Sequence, residues 1–316
     1  MRTRQVKVSW QGSLFLARFD AMASPCEILL ALPREQQSLA EKLARIAAEE
    51  VWRIEATYSR YRPDNFFARL HQQAGQWQEV DAETTRLLDF ADQAWQLSGG
   101  LFDITSGILR RVWSFDGSDR LPDPDAVAAL LPRIGWDQVG WESRTDSLGG
   151  RLFLPSGMEL DLGGLGKEYA ADRALGLALQ ALQAALGSAQ SASLPGLLVN
   201  LGGDLAANAP PSEQAPWRVG IESTAVENQA ASLLELTRGG LATSGDSRRY
   251  LVCDGKRYGH LLNPKTGWPL QKAPRSVTVS APTCVQSGLV ASLALLQGEA
   301  AETFLKQTGL AYWLAA

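Results

Sequence analysis

Glycine-rich turns set beside acids, amides and hydroxyls recur along this chain, and they constrain it more than any other feature. The most developed is Leu160–Arg173, LDLGGLGKEYAADR. It reads as a short apolar strand ending in an acid (Leu160, Asp161), a glycine turn (Gly163, Gly164, Gly166), a lysine, and a helix from near Tyr169. Glycine at such a junction lets a ligand approach the backbone, and the free N–H groups of a first helical turn favour an anion. Asp161 stands where it would hold a polar group or a metal-bound water, and Lys167 where it would meet a phosphate. One glycine turn is a weak signal, and alone it reads as a tight connection with its lysine in solvent. Downstream, NLGGD, ATSGDSRR and HLLNPKTG repeat the same chemistry. With Arg248, Arg249 and Lys265 beside them, these strand ends suit a ligand that carries a diphosphate.

The intervening chain alternates strands and helices. Arg4–Trp10, Leu14–Phe19 and Glu27–Leu32 read as strands, with Met22–Pro25 a turn between them. An amphipathic helix spans about Glu35–Tyr58, its Leu39, Leu43, Ile46, Val51 and Ile54 near one face, and it runs into the turn Tyr61–Asn65. A second helix covers Ala82–Ser98 and stops at Gly99-Gly100. A short helix is expected at Asp125–Leu131, a hairpin-like pair over Arg151–Asp161, and a long Ala/Leu helix over Ala170–Leu186. The second half reads as strands at GLLVNL, WRVGIES and SVTVSAPTC, two more around Ala242–Gly245, and an apolar core helix at Gly288–Leu296.

Composition narrows the function classes. A formal net charge of −4, with no long basic run, argues against a general nucleic-acid binder. Three widely separated cysteines fit neither a zinc site nor a disulfide framework and suit a reducing compartment. SLFLARFDAMA is broken by Arg18 and Asp20, so it is neither a secretory leader nor a membrane span, and a cytoplasmic location is expected. A Rossmann or P-loop site is excluded, since neither glycine pattern occurs. Of the two histidines, His71 reads as structural. His260, beside a Thr-Gly turn, is the candidate general acid/base or phosphate contact. Tyr61 and Phe102, next to polar turns, are the candidates to stack on a flat ring.

At these residues the sequence resembles the FAD:protein FMN transferases, the ApbE-type flavin transferases, from about Phe19 to Gly298. MASP (Met22–Pro25) resembles the early MGT turn of that family, and YRPDN (Tyr61–Asn65) its YxPDS. GGLFDIT is similar to GxFDxT, and LDLGGLGKEYAADR to DLGGxAKGYAxD. VNLGGD, ATSGDSRRY and GHLLNPKTG resemble NxGGD, ATSG and HxxDPxTG, in the family's order.

The resemblance implies an α+β fold, with mixed sheets and flanking helices in a T-fold-like architecture around a flavin-binding cleft. It implies one domain over residues 1–316. It also implies that FAD binds with Mg²⁺ and that FMN passes from FAD to a Thr or Ser of an acceptor flavoprotein subunit, releasing AMP. Neither nucleic acid nor membrane is an expected partner. By position, Met22, Tyr61, Leu101, Phe102, Asp103, Asp161, Lys167, Asp204, Thr243 and Leu262 fall on the FAD. Gly164, through its carbonyl, and Ser292 fall on the metal, and His260 and Asp161 are the catalytic candidates.

The sequence departs from the pattern at informative places. The family's ADALATA, whose Asp and Thr are metal ligands, aligns with SGLVASL, so Gly288 replaces the Asp and Ser292 the Thr. A hard cation wants oxygen ligands, and Gly288 offers no side chain. Asn263 replaces the Asp of HxxDPxTG, Asn65 the Ser of YxPDS, Glu168 the Gly of AKGY and Ala23 the Gly of MGT. Asp246 and Glu168 are acids that stand in a position to compensate. Two alternatives therefore accompany the transferase: a non-catalytic FAD-binding accessory protein and an FAD pyrophosphatase.

Overall fold

Alternating apolar residues build an eight-stranded sheet in which every neighbouring pair is antiparallel. The structure is a computed structural model and describes residues 4–143, 149–187, 194–213, 215–222, 230–246, 249–270 and 272–315. Arg248 lies outside the described residues. Strands β1 (Lys7–Gln11), β2 (Leu14–Ala21) and β3 (Ser24–Leu30) form a meander. Helices α1 (Gln37–Tyr58) and α2 (Phe66–Gln72), strand β4 (Trp77–Val80) and helices α3 (Ala82–Leu97) and α4 (Pro124–Ala128) follow. Strands β5 (Gly140–Ser143) and β6 (Gly150–Phe153) lead to α5 (Gly166–Leu186), β7 (Leu197–Leu201) and β8 (Asp204–Ala207). A hairpin of β9 (Trp217–Glu222) and β10 (Ala230–Leu236) precedes β11 (Gly239–Gly245), and a second joins β12 (Tyr250–Cys253) to β13 (Lys256–Gly259). The chain continues through β14 (Ser276–Ala281), α6 (Cys284–Leu296), α7 (Ala301–Thr308) and β15 (Ala311–Ala315). The large sheet runs β1-β2-β3-β7-β8-β11-β14-β15, and β4-β6-β5 form a small one.

Because side chains alternate across a strand, the middle of the large sheet is buried on both faces. Leu197, Val199, Leu201, Ala206 and Ala242 join the core made with α1 and α5. Leu198, Leu205 and Leu241 turn the other way, onto Trp217, Leu234 and Leu236 of the β9–β10 hairpin. Small side chains let α1 and α5 come together: Ala44, Ala47 and Ala48 on α1 and Ala170, Ala171 and Ala174 on α5 are fully buried.

The expected α1 and α3 are present, and Gly99 and Gly100 end α3 with positive φ, as their position predicts. Elsewhere the structure corrects the sequence reading. Leu160 and Asp161 belong to no strand, because their N–H groups go to His71 Nε2 (2.9 Å) and the Ile104 carbonyl (2.8 Å). Residues 151–161 are therefore no hairpin; β6 pairs with β4 and β5 instead. Helix α5 starts at Gly166, earlier than Tyr169, with Gly166 N–H already bonded to the Leu162 carbonyl. Helix α6 starts at Cys284, before Gly288, because Thr283 caps it and Asp172 of α5 accepts the N–H groups of Cys284 and Val285, each at 2.9 Å. Ala242–Gly245 form the end of β11 itself. Among the described residues, no helix is long and apolar enough to cross a membrane.

His71 is structural, as the sequence suggested. Burial pushes its pKa down, and it serves as the neutral acceptor for Leu160. A histidine with a depressed folded pKa stabilises fully above its unfolded value, and that stability is lost as pH falls below it. Urea unfolding of the wild type is expected to show a loss of stability between pH 7 and 5. His71→Gln, whose amide oxygen still accepts the N–H, is expected to show a smaller loss.

Candidate active site

The first turn of α5, the β7–β8 turn, the end of β11, the segment after β13 and the 101–107 loop surround one cleft of about 1480 Å³. That exceeds the ~300–1,000 Å³ of an ordinary small-molecule site and suits an extended ligand. Tyr61, Leu101, Phe102, Asp103, Asp161, Gly164, Lys167, Asp204, Thr243, His260, Leu262 and Ser292 all line it. Met22 does not. It and Ala23 occupy the tight β2–β3 turn with φ of 51° and 56°, and the Met22 N–H binds Glu55 Oε1 at 2.7 Å. Its neighbours Ala23 and Ser24 reach the cleft wall, whereas Lys265 is exposed and outside it.

The acids divide by how completely the chain already satisfies them. Asp103 is buried and accepts from four donors: Thr105 N–H (2.8 Å), Thr105 Oγ1 (2.6 Å), Trp136 N–H (2.9 Å) and Trp95 Nε1 (3.2 Å). Its position fixes the loop that presents Leu101 and Phe102. Asp161 pairs with Arg60 and accepts the Gly163 N–H at 2.9 Å. Gly107 permits this arrangement, since a β-carbon there would lie 2.4 Å from Asp161 Cβ. Asp246 is held by Arg257 at 2.8 Å and Arg275 at 3.1 Å.

Glu168 and Asp204 differ. Both are buried, and burial raises both pKa values, Glu168 further through the negative field of Asp204. Lys167 Nζ lies 3.8 Å from Asp204 and 3.5 Å from Ser24 Oγ. Glu168 Oε2 is buried without a hydrogen-bond partner. Ser244 and Ser292 hydroxyls meet at 2.9 Å, and Thr243 bonds Thr278 at 2.7 Å. Among the described residues no three His, Cys, Asp or Glu side chains converge. The carboxylates of Glu168, one oxygen of which has no partner, and Asp204, with the Ser244 and Ser292 hydroxyls, form an all-oxygen donor set. That set fits Mg²⁺, which typically takes one or two protein carboxylates and completes its shell with water and substrate phosphate.

His260 follows β13. Its N–H bonds the Arg249 carbonyl at 3.2 Å, its ring meets Phe115 edge-on, and its Nδ1 is buried without a partner. Burial, then the Arg249 charge, lowers its pKa, so the ring is neutral near pH 7. The Asn263 turn beyond it is self-capped, with Asn263 Oδ1 accepting the Lys265 N–H at 2.8 Å. Trp113 Nε1 pins that turn through the Gly267 carbonyl at 2.8 Å. Asn65 caps α2 by accepting the Ala68 N–H at 2.9 Å, so an amide there keeps a capping role. Arg60, which also stacks 5.1 Å from the ring centroid of Tyr61, escaped the sequence reading. One arginine among several near a turn carries no local signal.

Strands and helices mixed in this topology, with a glycine-turned, oxygen-lined cleft at the head of α5, place the chain among α+β proteins. Residues 22–314 match the ApbE family, and the chain belongs to it. It is similar to an FAD:protein FMN transferase of Klebsiella pneumoniae, 33% identical over 224 residues, which are 68% of this chain and 59% of that protein. It is also similar to one of Haemophilus influenzae, 28% identical over 269 residues, 83% of this chain and 74% of that protein. The match thus spans under two thirds of the Klebsiella relative. The crystal structure of the ApbE protein of Thermotoga maritima superposes with a TM-score of 0.79 at 25% identity, covering 98% of this chain and 94% of that one. The apo flavinyl transferase ApbE of Pseudomonas stutzeri gives 0.76 at 24%, covering 99% and 92%.

Asp103→Ala strands buried donors, two of them backbone N–H groups. Urea unfolding is expected to show a loss of about 2–4 kcal/mol, from ~1–3 kcal/mol for each unsatisfied group, partly relieved by water.

Proposed function

We propose that this protein is an FAD:protein FMN transferase that moves FMN from FAD to a Ser or Thr hydroxyl of an acceptor flavoprotein subunit and releases AMP. The observation that carries the reading is His260: a neutral imidazole whose buried Nδ1 has no partner, in the same cleft as Lys167, Asp161 and Asp204. The relatives' names support the same assignment. Residues 1–316 act as one unit in this reading, since the cleft draws its walls from Ala23 through Leu296.

Tyr61, with 76% of its surface exposed, and Phe102 offer aromatic faces to the isoalloxazine. Leu101 and Leu262 supply apolar contact, and Met22 sets the turn that brings Ala23 and Ser24 to the wall. Lys167 and the first-turn N–H groups of α5 hold diphosphate oxygens, and Asp161, locked by Arg60, orients the glycine turn beside them. Asp204 and Thr243 complete the polar wall. His260 takes the proton of the acceptor hydroxyl, whose oxygen then bonds the FMN phosphorus. The bond from that phosphorus to the bridging oxygen breaks, and AMP leaves with the electron pair. Mg²⁺, held by Glu168, Asp204, Ser292 and the Gly164 carbonyl, would neutralise charge on the diphosphate. Cytoplasmic residence fits free Cys26 and Cys284, both buried thiols.

Incubation with FAD, Mg²⁺ and a Ser/Thr acceptor peptide is expected to add one FMN mass to the peptide and release AMP. FAD that stays bound and unchanged would favour an accessory protein, and AMP without an acceptor a pyrophosphatase. His260→Ala is expected to lower kcat by about 10²–10⁴-fold while leaving FAD affinity nearly unchanged. Because the His260 pKa is depressed below 6.5, activity should persist to mildly acidic pH and fall only as the ring protonates.

A further inference from the structure

Glu168 and Gly288, two places where the sequence departs from the pattern it resembles, meet in space. A β-carbon on Gly288 of α6 would stand 2.6 Å from both Cγ and Oε1 of Glu168 and 2.9 Å from its Cδ. No side chain fits there while Glu168 keeps its place, so the Glu168 carboxylate fills the volume that a residue 288 side chain would occupy. Glu168 comes from the first turn of α5 and is only 8% exposed, yet its Oε2 has no partner. A buried, unpartnered carboxylate oxygen is unfavourable unless something absent from the chain completes it.

Its surroundings indicate what that is. Asp204, from β8, turns to the helix-covered face of the sheet with Ala206, and Ser244, from β11, turns there with Ala242. Ser292 of α6, four residues after Gly288, bonds Ser244. Asp204, Ser244 and Ser292 line the cleft with Glu168. Among the described residues no lysine or arginine pairs with Glu168, since Lys167 pairs with Asp204. Asp246, the other acid positioned in sequence to compensate, is already held by two arginines.

We propose that Glu168 and Gly288 form a single exchange: α5 supplies through Glu168 the carboxylate that joins Asp204 in a divalent-cation site, and Gly288 is the vacancy on α6 that admits it. The inference rests on the transferase reading only for the identity of the anion that shares the cation. Gly288 is then a requirement of the site, and its lack of a ligand atom is compensated from the neighbouring helix.

The test uses the full chain and Mn²⁺ as probe, its free fraction read by EPR, with and without FAD. The wild type is expected to bind Mn²⁺ saturably. Glu168→Gln, which keeps shape and removes charge, is expected to weaken binding by at least about tenfold. The double exchange E168G/G288D is expected to restore affinity to within about threefold of wild type, because it returns one carboxylate to the same space from the other helix. G288D alone crowds two carboxylates and is expected to lower Tm. If E168Q fails to fold, the double exchange against E168G alone carries the comparison. No saturable Mn²⁺ binding by the wild type, unchanged affinity in the Glu168 variants, or an unshifted Tm in G288D would overturn the proposal. Flavin transfer by a wild type whose Mn²⁺ affinity ignores Glu168 would sink the exchange and leave the transferase standing. Mn²⁺ affinity that follows the exchange without any flavin transfer would do the reverse.

Discussion

The placement of α5 governs the rest of the molecule. Its alanine face is pressed against α1 and the sheet, and the pairing of small residues brings the helices close. Charges close the seam: buried Glu50 accepts from Arg53 at 2.7 Å and Arg173 at 3.1 Å, and Glu83 binds Arg53 and the Tyr169 hydroxyl, each at 2.7 Å. The arginines are partly exposed, so each pair adds on the order of 0.2–1 kcal/mol. Removing the partners of buried Glu50 would cost about 3–5 kcal/mol. The network therefore fixes rotation and register more than it stabilises. Asp172, farther along α5, caps α6, so the two helices that reach the cleft are positioned as one body.

That rigidity explains the contrast among the acids. Asp103, Asp161 and Asp246 are answered by donors from their own chain and serve as struts for loops. Glu168 and Asp204 sit where α5, α6 and the β7–β8 turn converge, and they are incompletely answered. Burial favours the protonated form of each, and the negative field of Asp204 does so further for Glu168. Buried carboxylates of this kind are costly when unpaired, and a cation beside them would offset that cost. The cleft thus holds two unsatisfied polar atoms, Glu168 Oε2 and His260 Nδ1, and has Tyr61 and Phe102 among its walls.

Much of this was legible in the chain. Period-3.6 apolar residues marked α1, the glycine pair marked the end of α3, and a turn rich in glycine marked the head of α5. Other features were not. Leu160–Asp161 read as a strand because two apolar residues flank the acid, and only the distant acceptors His71 and Ile104 show that no ladder forms. The start of α6 was missed because its cap comes partly from Asp172, remote in sequence.

The sequence by itself determined the mixed α/β pattern, the polar chemistry of each turn and the absence of a side chain at Gly288, since these follow from local residue types. Only the tertiary structure decided which acids are answered by donors of the chain, that Glu168 keeps an oxygen without a partner, and that its side chain enters the space beside Gly288. Those outcomes depend on how two helices, far apart in the chain, are packed against one sheet. No local pattern encodes a distance between α5 and α6.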